Sequence, residues 1–411
     1  MDRIVFVALI ASLPVMQPSL TFLGPYPVVV TDALFVILAV LVAAMLARGR
    51  MRMAWSWWHT AVVAFVAANF LSAAASNWRL GLLKAAGAGY LGCVALLSAH
   101  YAGSPQMRRP IVLAWLAGAL ATIVAAAGGV GLFLAGSRDN PFLYGYGSLI
   151  PGGYPRVMAL FLNANMLCSY IGAAAFILLG AAHSKVISRR VAIPTVVALA
   201  LVAVLTLSPG LGGLALAGLL WVTCSSAMPP VRARMLRRLG VAMAAASFLA
   251  TLPSPTMLQA TSFGQFEPSS RVQTWLGASK TFLARPLLGA GPGADVAQVT
   301  YVNASRQVEY LTDAHNTWLS VLAQTGLIGF ACFAAVIGML IGRMRFYRRL
   351  SGQGAWRTGG ELALLASVLI PSLSGSFEDA RHGWVLLGMV YAAQQERPDA
   401  NERETDLKML A

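Results

Sequence analysis

A histidine stands where a polar stretch of the chain meets a long apolar run. Asp313 and Ala314 close the polar stretch, His315 follows, and residues 318–341 are almost wholly apolar. A run of that length is sufficient for a membrane helix, so His315 is expected at the mouth of a span. The stretch before it carries four cations: Arg271, Lys280, Arg285 and Arg306. A titratable group beside a cationic loop at a bilayer surface suits chemistry on an anionic lipid head group.

The composition predicts which elements position this histidine. The 411 residues are 58% hydrophobic and 11% charged, whereas roughly a quarter of a soluble protein is charged. Residues 34–47, 191–207 and 211–222 contain no charge. Because a spanning helix needs about 20 mostly apolar residues, the sequence predicts an all-α fold, a polytopic membrane helix bundle.

The net charge of +15 raises the possibility of a nucleic-acid partner, but the distribution of the charge argues against it. The basic residues cluster in short loops at alternate breaks between apolar blocks, at 48–52, 108–109, 185–190, 232–238 and 343–349. This is the pattern of cytoplasmic loops in membrane proteins. The expected partners of this charge are membrane lipids, with no role for nucleic acid.

About twelve transmembrane helices are predicted. They lie at 4–23, 28–47, 59–76, 82–102, 111–134, 157–181, 191–207, 211–228, 239–254, 317–341, 360–374 and 383–395. With both termini in the cytoplasm, 21 of the 30 Lys and Arg residues fall inside and nine outside, which fits the positive-inside rule. Residues 1–395 are predicted to form a single integral membrane domain, and 396–411 a disordered cytoplasmic tail.

The loop at 255–315, between the ninth and tenth spans, is expected to be periplasmic and to contain short interfacial helices. Ser269 or Ser270 can cap a helix that ends at Ala284. At helical spacing, one face carries the apolar residues Val272, Trp275, Leu276, Phe282 and Leu283, with Arg271, Gln273 and Lys280 as polar partners. That pattern is typical of a helix lying in the membrane surface.

Several motifs resemble the O-antigen ligase and O-antigen polymerase family of bacterial membrane glycosyltransferases. The most specific are Arg271-x3-Trp275, Pro286-Leu287-Leu288-Gly289-x-Gly291-Pro292-Gly293, and His315-Asn316-x2-Leu319-x6-Gly326-Leu327-Ile328-Gly329. Weaker similarity covers Arg156-x6-Asn163-Ala164-Asn165 and Phe377-Glu378-x5-Trp384-x-Leu386-Leu387-Gly388.

This resemblance implies transfer of a glycan from undecaprenyl diphosphate to a hydroxyl at the periplasmic face of the bacterial inner membrane, without nucleotide or metal. The acceptor is lipid A core in ligases, another glycan unit in polymerases, and a protein hydroxyl in related members. One departure stands out. The family usually carries Ser-Arg-Gly where this chain has Ser208-Pro209-Gly210, so Arg156 or Lys84 would have to replace the missing cation.

The residues themselves suggest roles in such a transfer. Arginine pairs with phosphate oxygens through a planar fork, so the candidates for binding the diphosphate are Arg271, Arg285, Arg306 and Arg156. His315 can take a proton near neutral pH or bind the diphosphate as imidazolium. Asp313 either orients His315 or caps the following helix, and Asn316 and Lys84 are supporting candidates. Lys84 is otherwise an interfacial side chain.

No cofactor or metal is expected. The loop carboxylates Asp295, Glu309 and Asp313 are scattered rather than grouped as metal ligands, and the four cysteines lie singly in apolar segments without a C-x-x-C pair. His382, beside Arg381, is an alternative base.

The sequence bears differently on three classes of function. An O-antigen ligase-like glycosyltransferase is favoured, with a polymerase of the same family as the alternative. A secondary transporter with twelve spans is less favoured, because no related halves appear and charged residues avoid the span centres. A scaffold protein would not explain His315 or the cationic loop.

Overall fold

Helices dominate the computed structural model, which describes residues 1–23, 26–76, 80–144, 155–225, 229–249, 267–302, 308–350 and 355–395. In these ranges the helices are α1 Asp2–Ser12, α2 Val30–Ala47, α3 Trp57–Ala75, α4 Gly81–Ala102, α5 Arg108–Leu134, α6 Ala164–His183, α7 Arg189–Leu205, α8 Gly210–Ser225, α9 Pro230–Leu249, α10 Glu267–Ala284, α11 Thr317–Leu350, α12 Ala355–Leu369 and α13 Arg381–Ala393. Two antiparallel hairpins accompany them: β1 Thr21–Leu23 with β2 Tyr26–Val28, and β3 Val299–Val302 with β4 Val308–Leu311. The predicted all-α class is therefore confirmed.

Six helical segments in the described residues are long and apolar enough to cross a bilayer. They are Val30–Ala47, Trp57–Ala75, Gly81–Ala102, Pro105–Leu134, Ala164–His183 and Thr317–Met344, with shorter apolar helices at Gly210–Thr223 and Gly360–Leu373. The count of twelve spans stays a prediction.

The prediction of a first span at 4–23 is wrong as a single helix. Helix α1 ends at Ser12, and 11 residues rise only about 16 Å. Pro14 and Pro18 lie just beyond, where a missing N–H stops a helix. The Met16 N–H donates to the Leu160 carbonyl at 3.0 Å, and the side-chain amide of Gln17 donates to the carbonyls of Pro141 and Phe161 at 3.0 and 2.8 Å, so hydrogen bonds to distant residues hold this non-helical segment. The chain then turns through the β1–β2 hairpin.

The sixth span was also predicted too early, at 157–181. The helix begins at Ala164, where Asn163 Oδ1 accepts from the Asn165 N–H at 2.7 Å as an N-cap. Residues 157–163 are not helical, and the Val157 N–H donates instead to the Leu205 carbonyl at 3.0 Å.

Close helix packing builds the core. Helix α13 lies against α4 so closely that a Cβ on Gly388 would fall 2.2 Å from the carbonyl oxygen of Ala95. Small residues allow such approaches between membrane helices. Helix α12 packs on α8 and α6, and α11 packs on α3. Aromatic side chains of α3, α11 and α13 fill the centre, with Phe65 next to both Phe333 and Trp384.

One end of the bundle gathers the start of α2, α4, α11 and α13. Arg381 at the start of α13 forms two 2.8 Å hydrogen bonds with Asp32 at the start of α2. Lys84 at the start of α4 pairs with Asp379, just before α13. The distribution of Lys and Arg along the sequence predicts that all of these segments lie at the outer face of the membrane. At the opposite end, Tyr391 OH donates to Ser56 Oγ at 2.8 Å, joining the end of α13 to the start of α3.

Candidate functional site

His315 lies in the short connection between β4 and α11. Its backbone adopts a φ of 48°, a left-handed conformation that is uncommon for residues other than glycine and is enriched at functional sites. The side chain is 18% exposed, and Nδ1 lies 3.6 Å from Asp313 Oδ2. The other ring nitrogen, Nε2, is buried and has no hydrogen-bond partner among the described residues.

The two alternatives for Asp313 are separated by geometry. The cap of α11 is Asn316, whose Oδ1 accepts from the N–H groups of Trp318 and Leu319 at 3.0 and 3.1 Å. Asp313 instead accepts from the His315 N–H at 3.3 Å and faces its Nδ1. Asp313 is therefore placed to orient the imidazole ring.

Helix α10 carries Arg271 into the protein. The side chain of Arg271 is 2% exposed, and Nη1 donates to the carbonyl of Ser374 at 2.9 Å. The hydroxyl of Thr274, one turn along, lies 3.3 Å from the carbonyl oxygen of Ala314. Helix α10 is thus hydrogen-bonded to Ala314, the residue immediately before His315.

This corrects the expected arrangement of α10. The helix begins at Glu267 rather than at a serine cap, and its polar residue Arg271 faces the protein instead of water. Three of its apolar side chains are exposed: Val272, Leu276 and Leu283. The described part of the 255–315 loop contains one helix of 18 residues and the β3–β4 hairpin, and the short interfacial helices of this loop stay a prediction.

Residues 373–379 form a hub that joins these parts. Asn316 Nδ2 donates to the Leu373 carbonyl at 3.0 Å, and the Thr317 N–H donates to the Gly375 carbonyl at 3.0 Å. Ser376 Oγ bonds to Asp313 Oδ1. Since Arg271 donates to Ser374 in the same segment, the hub brings together His315, its orienting carboxylate and the buried arginine.

Glu378 is a site residue to which the sequence interpretation gave no role, although it belongs to the C-terminal motif. Its Oε1 accepts from the hydroxyl of Ser320, and Oε2 is buried without a hydrogen-bond partner in the described part of the chain. Burial, together with the negative charges of Asp313 and Asp379, raises the pKa of Glu378 to about 8. This upward shift favours the protonated form of Glu378.

Helix α11 is broken at Gly326, and the glycine-rich turn fills the break. Gly326 has φ 64° and ψ −167°. The Leu327 N–H donates to the Pro286 carbonyl at 2.8 Å, and the Gly291 N–H donates to the Gln324 carbonyl at 3.0 Å. The turn thus supplies partners for backbone groups that a continuous helix would pair internally. The glycine-rich turn and the motif that contains Gly326 therefore form one structural unit.

A polar chain leads from this break to the carboxylates. Gln324 Oε1 accepts from the Gly293 N–H at 2.6 Å, and its Nε2 donates to Ser320 Oγ at 2.7 Å. Ser320 in turn bonds to Glu378. The turn after α10, the first half of α11 and the hub therefore share one hydrogen-bond network.

The described contacts of Arg156 are with residues other than those around His315. It is buried, and Nε donates to the Thr206 carbonyl at 3.0 Å while Nη2 donates to Asn165 Oδ1 at 3.3 Å. The guanidinium also stacks 5.0 Å from the centre of the Tyr144 ring. Arg156 therefore reaches the backbone two residues before Ser208, in the turn that leads to α8. A Cβ on Gly210 in that turn would lie 3.3 Å from Pro371, which precedes the hub.

The other candidates are less closely connected. Lys84 pairs with Asp379 next to Glu378. Arg285 is exposed after the end of α10, and Arg306 lies outside the described residues. His382 is buried, bonds to Ser169 Oγ at 3.1 Å and packs among aromatic rings, so its surroundings are those of a core side chain.

The fold and the site define a polytopic membrane protein with a buried arginine and an oriented histidine at one end of its helix bundle. A family model described as O-antigen ligase matches residues 157–334, which include Arg271, the glycine-rich turn, His315 and Gly326. No curated protein matches the chain. This match confirms the resemblance that the motifs indicated, which is to the O-antigen ligase family.

This match, together with the apolar helices, supports a bacterial inner-membrane protein of lipopolysaccharide or polysaccharide biosynthesis, with a glycosyltransferase role of the ligase or polymerase type. The hub at 373–379 lies beyond the matched residues.

Proposed function

We propose that this protein transfers a glycan from a polyprenyl diphosphate carrier to an acceptor hydroxyl, as an O-antigen ligase acting on lipid A core. The observation that carries the proposal is the pairing of His315 with Asp313 beside buried Arg271. One nitrogen of the ring faces a carboxylate, while the other is unpartnered among the described residues.

In the proposed reaction, the acceptor hydroxyl oxygen attacks the anomeric carbon of the donor sugar. The bond between that carbon and the phosphate oxygen breaks, and the polyprenyl diphosphate leaves with the bonding electrons. His315 Nε2 takes the hydroxyl proton, and Asp313 stabilises the resulting imidazolium across the 3.6 Å separation. General-base assistance of this kind is typically worth roughly 10²–10⁴-fold in rate.

The leaving diphosphate requires positive charge. Arg271 is proposed as its main contact, because a guanidinium has five N–H donors in a fixed fork and the Ser374 carbonyl anchors one of its nitrogens. Arg285 and Arg306, from the same loop, are proposed to reach the diphosphate from the surface. Arg156, which precedes α6 and donates to the Thr206 carbonyl in the α7–α8 turn, is proposed to contribute as well.

A second role for His315 remains within this proposal: contact with the diphosphate as imidazolium. The two roles predict different results. Loss of a base lowers turnover with little effect on donor binding, whereas loss of a phosphate contact weakens donor binding.

The proposed setting is the periplasmic face of the inner membrane, with both termini in the cytoplasm. The positive-inside distribution supports it, since the site shares its end of the bundle with segments that carry few Lys and Arg residues.

A cellular test uses matched single variants. We expect His315→Ala and Arg271→Ala to abolish attachment of the glycan while lipid-linked donor accumulates. Lys280→Ala, which removes an exposed cation from the same helix as Arg271, should retain attachment. Each variant is quantified in the membrane fraction. Normal glycan display in both site variants would reject the mechanism.

A polymerase of the same family is the alternative, and a deletion strain distinguishes the two. Loss of a ligase leaves bare core with polymer still on the carrier lipid. Loss of a polymerase leaves core that bears a single unit.

A further inference from the structure

A second candidate binding site lies at the end of the bundle opposite to His315. It is a cavity of about 890 Å³ between the start of α3 and the later part of α11. Its lining includes Trp55, Trp57, Trp58, Met339, Gly342 and Arg343. About 25 residues of α11 separate it from His315, which at 1.5 Å per residue is roughly 35 Å. That distance matches the thickness of a bilayer, so the two sites lie near opposite membrane faces.

The walls of the cavity combine an apolar surface with one cation. Trp55 and Trp57 are 61% and 80% exposed, and exposed tryptophans of membrane proteins typically mark the interface with lipid head groups. Arg343 is the one charged residue among the described residues that line the cavity. Its guanidinium lies 5.5 Å from the centre of the Tyr391 ring and donates to the Gln394 carbonyl at 3.4 Å. These contacts hold the cation at the cavity wall.

One carboxylate lies close to Arg343, because Gln394 Nε2 donates to Glu361 Oε2 at 3.3 Å, but the other charges beside the cavity are positive. Arg48, Arg50 and Arg52 are all exposed in the segment between α2 and α3, directly before the tryptophans. A positive surface beside interfacial tryptophans attracts anionic lipids.

We propose that this cavity binds an anionic glycerophospholipid, with its phosphodiester at Arg343 and an acyl chain along Met339 and Gly342. The apolar walls favour a lipid over a free phosphate, and the local charge favours an anionic head group over a zwitterionic one. This site is independent of the glycan-transfer site, because the described contacts of His315 and Arg271 involve none of its residues.

Two glycines of α11 provide a matched pair of variants. A Cβ built on Gly342 or on Gly338 meets no atom within 4 Å, so a larger side chain at either position can be accommodated. Gly342 lines the cavity, whereas Gly338, one turn earlier, does not. Gly342→Leu therefore places a side chain in the cavity, where it would exclude part of a bound ligand, and Gly338→Leu is its control.

The test is native mass spectrometry of the full-length protein in detergent, after incubation with dioleoylphosphatidylglycerol or dioleoylphosphatidylcholine. We expect the wild type and Gly338→Leu to retain the phosphatidylglycerol at least about tenfold better than the phosphatidylcholine. Gly342→Leu and Arg343→Gln should lose this preference.

Equal retention of the two lipids by the wild type would overturn the proposal, as would unchanged preference in Gly342→Leu. A third arm adds inorganic phosphate: displacement of phosphatidylglycerol by millimolar phosphate would assign the site to a free anion instead. Thermal unfolding of each variant checks that it is folded before its lipid retention is compared.

Discussion

Replacing Gly326 with alanine should push the glycine-rich turn at 286–293 away from the break between the two halves of α11. With φ 64° and ψ −167°, Gly326 occupies a region of backbone space that is essentially restricted to glycine. An added Cβ would also fall 2.3 Å from the carbonyl group of Leu287. Relief of this contact requires the turn to move away from the helix.

The cost can be estimated from the parts that are lost. Backbone strain at such a position is of order 1–3 kcal/mol. Separating the turn also removes the hydrogen bonds from the N–H groups of Leu327 and Ile328 to the turn carbonyls, at about 1 kcal/mol each. The total of roughly 3–5 kcal/mol corresponds to a change of roughly 10²- to 4 × 10³-fold in the folded-to-unfolded ratio.

The assay is thermal unfolding of the purified protein in detergent, together with glycan transfer. We expect Gly326→Ala to lower Tm by roughly 5 °C and to reduce transfer, because the network from Gln324 to Glu378 starts at this break. Gly338→Ala is the control in the same helix, since its Cβ meets no atom within 4 Å and alanine favours a helix. Wild-type Tm and transfer in Gly326→Ala would refute the role assigned to the break.

Three further predictions concern the end of the bundle that holds His315. Because Glu378 has a raised pKa of about 8, it ionises as pH rises through that value and adds negative charge beside Asp313; wild-type transfer should fall on this alkaline side, and a pH profile of Glu378→Gln should lack the fall. Asn316→Ala removes the cap of α11 and should cost about 1 kcal/mol in thermal or denaturant unfolding, with Asn316→Ser closer to wild type; equal stability of all three would contradict the capping role. Asp32→Asn breaks the bidentate pair with Arg381 and should destabilise by about 3 kcal/mol, which an unchanged Tm would rule out.

Much of the helical framework can be predicted from hydropathy, but the exceptions have physical causes. Apolar residues continue through position 23, and hydropathy alone does not distinguish a helix from the non-helical segment that follows Ser12, whose last residues are exposed. The contacts of Gln17 with Pro141 and Phe161 depend on residues more than a hundred positions away.

The candidate site residues could be named from the sequence, but the way in which they assemble could not. The sequence indicated His315 and Arg271, because histidine and arginine are rare outward-facing groups in an apolar chain. Helical periodicity placed Arg271 on a polar face, but it cannot tell whether that face meets water or protein. Residues 373–375 of the hub belong to no sequence motif, since they act through their backbone carbonyls.

The pairing of the glycine-rich turn with Gly326 illustrates the same limit. Each glycine reads locally as a turn or a helix breaker. Only the structure shows that the two segments meet, and that carbonyl groups of the glycine-rich turn accept hydrogen bonds from N–H groups at the break in α11.

The role of His315 in transfer is tested most directly with purified protein in nanodiscs and a defined polyprenyl-diphosphate glycan donor. Single-turnover transfer and donor binding are measured for the wild type and His315→Gln. If His315 is the base, transfer should fall by roughly 10²–10⁴-fold while the Kd for the donor changes little. Transfer by His315→Gln at the wild-type rate, with the donor bound equally well, would contradict the mechanism.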